Sequence, residues 1–237
     1  HLKMDGTKQM AFDVLLLNQA IHSSTFSIAC RFYSWEGAWL SIGRNQKDIP
    51  PGWENLVKEK KINIVRRPSG GATVLHSGGL TYSLIWKAAP RQRKEAYFQA
   101  SQWIIKSFAE LELPLQFGHL NANSVSGNCF ATSTAADLVD NYGNKRVGSA
   151  QYWKGRNVLQ HGEILLAPPE ELWNDLFKSA PPKQISINLT TTEIEEVLKR
   201  NLFSSWPNLS WKNRDLTKDE RNQIRVNAKN YLFRSNS

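Results

Sequence analysis

Two glycine pairs set the pattern of this chain. Gly70-Gly71 and Gly78-Gly79 punctuate the stretch from Ile62 to Trp86, where Ile62 to Val65, Thr73 to His76 and Leu80 to Trp86 each read as a strand. In the last of these, Leu80, Tyr82, Leu84 and Trp86 point one way and Thr81, Ser83 and Ile85 the other, as strand geometry requires. Around Ser77-Gly78-Gly79 the pattern predicts a β-hairpin with a glycine-containing loop. The earlier pair, inside Arg66-Arg67-Pro68-Ser69-Gly70-Gly71, lets the backbone approach a ligand and adopt conformations closed to other residues.

Helical periods flank this β-rich centre. Met10, Val14 and Leu17 predict a helix over Thr7 to Gln19, with Thr7 as its N-cap. Tyr97, Ala100, Ile104 and Phe108 form the stripe of a second helix, Arg93 to Leu111. Thr25 to Tyr33 and Ala38 to Ile42 read as strands joined by a turn at Glu36-Gly37, and a short helix is expected near Trp53 to Lys58. Asp137 to Val139, Arg146 to Gln151 and Gly162 to Leu166 read as later strands. After Pro168 the chain turns helical, with a capping-box pattern at Thr191 to Glu195 and a last helix over Thr217 to Leu232. Ala180-Pro181-Pro182 is the expected boundary between an α+β body, residues 1–180, and a small helical extension packed on it, residues 181–237.

A chain of 237 residues can bury a sizeable core, and 41% hydrophobic with 22% charged residues is ordinary for a globular protein. No apolar stretch approaches the length of a membrane span, and no secretion signal is legible at the N-terminus. Cys30 and Cys129 are too few to staple a chain this size, so both are read as thiols and the protein as cytoplasmic. The net charge is +9, and from Lys199 onward nine Lys/Arg stand against three Asp/Glu. Such an excess suits nucleic acid or an acidic protein. Because Trp35, Trp39, Trp86 and Trp103 sit in core-like segments rather than on a stacking surface, nucleic acid is not the expected partner.

Four clusters carry possible chemistry. Exposed amides at Ser69-Gly70-Gly71 can hold an anion or a carbonyl oxygen, and Arg66 and Arg67 add donors. On the glycines alone, a tight turn with solvated arginines is the simpler reading. Lys145, followed by Gly148-Ser149-Ala150, can reach a carbonyl or phosphate in a small-walled pocket, or be an ordinary turn lysine. Gly162 after His161 permits close approach of a backbone or substrate, although a lone histidine is more often packed than catalytic. Cys129, in the polar loop Asn121 to Cys129, is easier to reach than mid-strand Cys30. It becomes a nucleophile only with a stabilised thiolate. The five histidines have no zinc-ligand spacing, so no metal site is expected.

Taken together and in order, these segments resemble the lipoate/octanoate protein ligase and octanoyltransferase family. Residues 66–86, RRPSGGATVLHSGGLTYSLIW, are similar to that family's Arg-Arg-x-Ser-Gly-Gly-Gly-Thr-Val-x-His segment, with Ala72 in place of the third glycine and His76 at the histidine. NKRVGSAQ, residues 144–151, resembles its lysine segment, and LQHGEILL, residues 159–166, its His-Gly strand. The resemblance implies a curved mixed β-sheet flanked by helices, a biotin/lipoate ligase-like catalytic domain with a short helical C-terminal tail. It also implies an acyl pocket under the loop. The implied catalytic pair is Cys129 and Lys145. The implied substrate contacts are Arg66, Arg67, Ser69, Gly70, Gly71, Ala72, His76, Gly148, Ser149, Ala150, His161 and Gly162.

Within that family the chain reads first as an octanoyltransferase. Cys129-Phe130 matches the Cys-Phe of the cysteine-dependent branch, and the tail after Pro168 is short for a ligase accessory domain. The donor would be octanoyl-acyl carrier protein, the acceptor a lysine of a lipoyl domain or of glycine-cleavage H protein, and no cofactor is needed. A second reading is an ATP- and Mg-dependent lipoate ligase; biotin is disfavoured, since biotin ligases carry a Gly-Arg-Gly-Arg-type loop. A third is a non-catalytic acyl-carrier or lipoyl-domain binding protein.

Overall fold

The computed structural model describes residues 1–118, 137–185 and 188–233. Within these residues, a strand β1 (Leu2–Met4) leads into helix α1 (Gly6–His22), followed by β2 (Ile28–Trp35), β3 (Trp39–Ile42), α2 (Pro51–Lys58) and β4 (Asn63–Arg66). Then come β5 (Val74–His76), β6 (Gly79–Trp86), α3 (Arg93–Glu110), β7 (Gln116–Phe117), β8 (Leu138–Val139), β9 (Lys145–Lys154) and β10 (Asn157–Leu165). Helices α4 (Glu170–Phe177), α5 (Thr191–Ser205) and α6 (Lys218–Asn227), the last running into a 3-10 turn over Ala228–Tyr231, close the chain.

The strands form two sheets. The larger has the order β1-β2-β6-β10-β9-β8-β7, the smaller β4-β3-β5. Both are mixed: β1 lies parallel to β2 and β3 parallel to β4, while the remaining pairs are antiparallel. This is the α+β arrangement with a mixed sheet flanked by helices.

Alternation along β6 sorts the two faces of the large sheet. Leu80, Tyr82 and Leu84 pack with Trp103, Ile104 and Phe108 of α3 and Ile194, Leu198 and Leu202 of α5. Ile85, with Leu159 of β10, faces Leu16, Leu17 and Ala20 of α1 and Ile224 of α6. The helices beyond residue 180 therefore share cores with those before it. The small sheet has its own core, in which Leu40, Ile42, Ile64 and Leu75 meet Trp53 and Trp173.

Local details shift some expectations. Asp5, not Thr7, caps α1, its side chain accepting from the Lys8 amide while Thr7 donates its hydroxyl to the same carboxylate. The carboxylate bonds the third helical amide, where an N-cap side chain reaches best. The predicted capping box starts one residue earlier, with Thr190 and Glu193 bonding reciprocally. The expected hairpin is absent: β5 pairs with β3 and β6 pairs with β2 and β10. Gly78, at φ +73, redirects the chain from one sheet to the other, where a Cβ would lie 1.9 Å from the Ala167 carbonyl oxygen. Glycine there permits a crossing between sheets, and sequence alone does not distinguish that from a hairpin turn.

Candidate active site

Register places two rows of side chains across the large sheet. Tyr33, Thr81, Glu163 and Gly148 are successive partners from β2 to β9, and Arg31, Ser83, His161 and Ala150 form the adjacent row. Between α1 and the small sheet lies a cavity of about 50 Å³, to which these rows contribute Tyr33, Thr81, Glu163, Gly148, His161 and Ala150. Met10 of α1, Ser41 of β3, Arg67, Gly71, Val74 and His76 complete its wall, with Ser149 and Gly162 also lining it.

Two buried histidines tie the loop and the small sheet to the large one. His161 Nδ1 lies 3.1 Å from Asp13 Oδ2, and its Nε2 lies 2.6 Å from Ser69 Oγ. With Nδ1 donating to the carboxylate, Nε2 is left to accept the Ser69 hydroxyl proton. Asp13, fully buried in α1, also accepts from Arg31 at 2.8 Å and from the Tyr33 hydroxyl at 3.1 Å. Burial raises the Asp13 pKa, but the Arg31 charge and the His161 hydrogen bond outweigh it and hold the carboxyl below its ordinary value.

The second histidine repeats the arrangement. His76 Nδ1 lies 2.8 Å from Glu163 Oε2, its Nε2 2.7 Å from Ser41 Oγ, and its ring stacks on Trp35 at 4.0 Å. Thr81 donates to the same Glu163 oxygen and accepts from Trp35 Nε1 at 2.7 Å. Burial lowers the pKa of His76 despite the adjacent carboxylate, so the ring is neutral, donating at Nδ1 and accepting at Nε2.

The arginines hold the glycine loop. Arg67, 5% exposed, donates through Nη1 to the Ser41 carbonyl at 2.6 Å and through Nη2 to the Gly70 and Ala72 carbonyls, both at 2.7 Å. Its Nε reaches Ser69 Oγ at 3.2 Å. Arg66 donates to the Gly43, Arg44 and Gln46 carbonyls and so ties the neighbouring loop. The two loops touch: a Cβ on Gly43 would lie 2.0 Å from the Gly71 carbonyl oxygen. Gly71, at φ +95, takes a left-handed conformation that side chains rarely adopt.

Of the residues implied by the resemblance, Arg67, Gly71, His76, Gly148, Ser149, Ala150, His161 and Gly162 line the cavity. Ser69, Gly70 and Ala72 stand behind Gly71, bonded to Arg67. Lys145, at the start of β9, is buried with its Nζ 2.9 Å from Asp137 Oδ2. Cys129 lies outside the described residues. Cys30 is within them, and burial pushes its thiol pKa well up, so it is no thiolate. Gly162 is close-packed: a Cβ there would lie 2.7 Å from both the Gly148 carbonyl oxygen and Ser149 Oγ.

Asp13, Tyr33, Ser41, Thr81 and Glu163 were not singled out from sequence. Asp13 did leave a signal, as a carboxylate inside the apolar run Ala11 to Leu17. Glu163 stood unassigned in the His-Gly strand. Among the described residues, no group of three His, Cys, Asp or Glu is placed to hold a metal ion, and no helix is long and apolar enough to cross a membrane.

Residues 5–205 match the model of the lipoyl protein ligase A/B catalytic domain. The chain belongs to this family. Within it, octanoyltransferase LipM of Halalkalibacterium halodurans is 35% identical over 210 residues, 83% of this chain and 71% of that protein. The LipM of Anoxybacillus flavithermus is 34% identical over 230 residues, 84% of this chain and 82% of its own length. Kinship of this extent makes the chain an acyltransferase of the family. Among solved structures, a lipoate-protein ligase A bound with ATP superposes with a TM-score of 0.80 over 96% of this chain and 92% of that one, at 17% identity, which establishes the shared fold.

Proposed function

We propose that the chain transfers an octanoyl group from octanoyl-acyl carrier protein to a lysine of a lipoyl domain or glycine-cleavage H protein, through a thioester on Cys129. The Cys129 thiolate attacks the donor thioester carbonyl and the carrier thiol leaves. The acceptor amine then attacks the enzyme thioester, loses a proton and forms the amide, freeing the thiolate. Backbone amides at Gly70-Gly71, with Lys145, stabilise the oxyanion formed in each step. Splitting the transfer lets two bulky carriers visit in turn, and no ATP is consumed.

The observation that carries this reading is the engagement of Arg67. In a ligase, Arg66 and Arg67 would neutralise an adenylate phosphate. Here both guanidiniums bond loop carbonyls, and the Arg67 donors brace the Ser69 to Ala72 loop against β3. A braced loop over a small-walled cavity suits an acyl chain and a carbonyl. The kinship to octanoyltransferases supports the same choice.

The test is direct. Incubation with octanoyl-acyl carrier protein yields a single octanoyl adduct by mass, mapped to Cys129, and apo H protein then discharges it without ATP. Full transfer by Cys129→Ser, or lipoate-dependent release of pyrophosphate from ATP, contradicts the reading.

A further inference from the structure

The basic excess of the C-terminal segment is organised. Lys199 pairs with Glu195 and Glu196, Arg200 with Glu110, and Arg214 with Glu220. In contrast, Lys218, Arg221, Arg225 and Lys229 are exposed and have no ion pair among the described residues; Arg225 donates to the Asn222 side chain, at 2.9 Å. Spacings of three, four and four residues put these four cations on one strip of α6 and the turn that continues it. The strip is about 16 Å long at 1.5 Å per residue. Asp219 falls on another side of the helix, and Glu220, Ile224 and Ala228 form the buried edge that faces α1.

The strip leads to the active site. Tyr231, two residues past Lys229, packs against the cluster of Met10, Tyr33 and Val65, and the first two line the cavity. Leu232 then bridges to Val65, beside Arg66. Helix α6 is thus anchored to the helix that carries Asp13, with its cations turned outward.

We propose that this cationic strip docks an acidic protein, namely the acidic face of the acceptor lipoyl domain whose lysine enters the neighbouring cavity. The inference rests on the protein-to-protein transfer argued above. A row of fixed cations matches an acidic helix or loop and speeds its encounter. A membrane is a poorer fit, because the apolar edge of α6 is buried against α1 and cannot insert. Nucleic acid is a poorer fit too, because α6 offers no aromatic side chain on which a base could stack.

The experiment uses the full chain with Lys218→Glu, Arg221→Glu, Arg225→Glu and Lys229→Glu combined, and circular dichroism to confirm folding. KM is measured for octanoyl-acyl carrier protein and for an apo lipoyl domain, alongside turnover of octanoyl-coenzyme A as a donor without a protein face. Direct binding of the apo lipoyl domain is followed by fluorescence anisotropy at several salt concentrations. The expected result is a KM raised about tenfold for the apo lipoyl domain, a flattened salt dependence of its binding, and unchanged kcat and small-donor turnover. Unchanged KM and salt dependence overturns the strip as a docking site. So does a loss confined to binding of RNA or of anionic vesicles. Salt-dependent binding that the charge reversal abolishes, in a protein that turns over no donor, retains the strip and instead removes the transfer reading.

Discussion

Ser69 Oγ and His161 Nε2, 92 residues apart in sequence, lie 2.6 Å apart and join the glycine loop to the centre of the large sheet. Asp13 sets the ring from the other side, at 3.1 Å from Nδ1. Ser69→Ala removes the tether but leaves the small residue and the Arg67 carbonyl bonds in place. The protein should stay folded while kcat/KM for transfer falls by about 10- to 100-fold, since a loop misplaced by about 1 Å loses the aligned geometry. Steady-state transfer assays beside a thermal melt check this; an unchanged kcat/KM would show the tether idle.

Arg67 makes bonds that lysine cannot copy. Its planar fork reaches carbonyls at Ser41, Gly70 and Ala72 together. Arg67→Lys should cost about 2–4 kcal/mol in urea unfolding, because several buried carbonyls lose their donor at about 1–3 kcal/mol each. The same change at Arg66, whose side chain is less buried, should cost less than half as much. Equal losses at the two positions would contradict the bracing role.

Gly43 is a contact point rather than a turn. Its φ is not positive, yet a Cβ would lie 2.0 Å from the Gly71 carbonyl oxygen. Gly43→Ala therefore forces the 43–46 loop away from the Ser69 to Ala72 loop, with a stability loss of about 1–3 kcal/mol. KM for the octanoyl donor should rise with it. A variant with wild-type unfolding midpoint and KM would show that the two loops separate freely.

His76 makes stability depend on pH. The ring titrates at 6.5 when unperturbed, and burial lowers that value in the folded chain. Below about pH 6.5 the unfolded state binds the extra proton and the folded state does not, so unfolding stability rises with pH across that window. The stabilisation is complete above about pH 6.5 and is lost as pH falls towards the lower folded value. His76→Gln removes this contribution, so the difference in stability between pH 7.5 and pH 5.5 should shrink relative to wild type. Urea midpoints at the two pH values measure it; an equal difference in both proteins would contradict a neutral, buried ring.

Much of the fold was legible because the signals were local. The stripe of Ala100, Ile104 and Phe108 marks a buried helix face, and α3 covers the expected span within a residue. Alternation from Leu80 to Trp86 separated the two faces of β6 correctly, since side-chain direction in a strand needs only position parity. Pairing partners were not legible. The chain before and after Gly78 carries the same strand pattern whether it closes a hairpin or crosses between sheets. Strand pairing in the folded chain distinguishes the two: β5 joins β3, while β6 joins β2 and β10.

By itself the sequence determined the helix and strand types, the glycine loop, and through the ordered segments at Arg66, Lys145 and His161 the family. Tertiary structure decided what those residues touch. It set Arg67 in the cavity wall with its donors on the carbonyls of the glycine loop, and made Asp13 and Glu163 the partners of His161 and His76. The physical reason is range. Periodicity reports the face a residue takes on its own element, whereas a hydrogen bond between α1 and β10 exists only once sheet register and helix docking bring the two elements together.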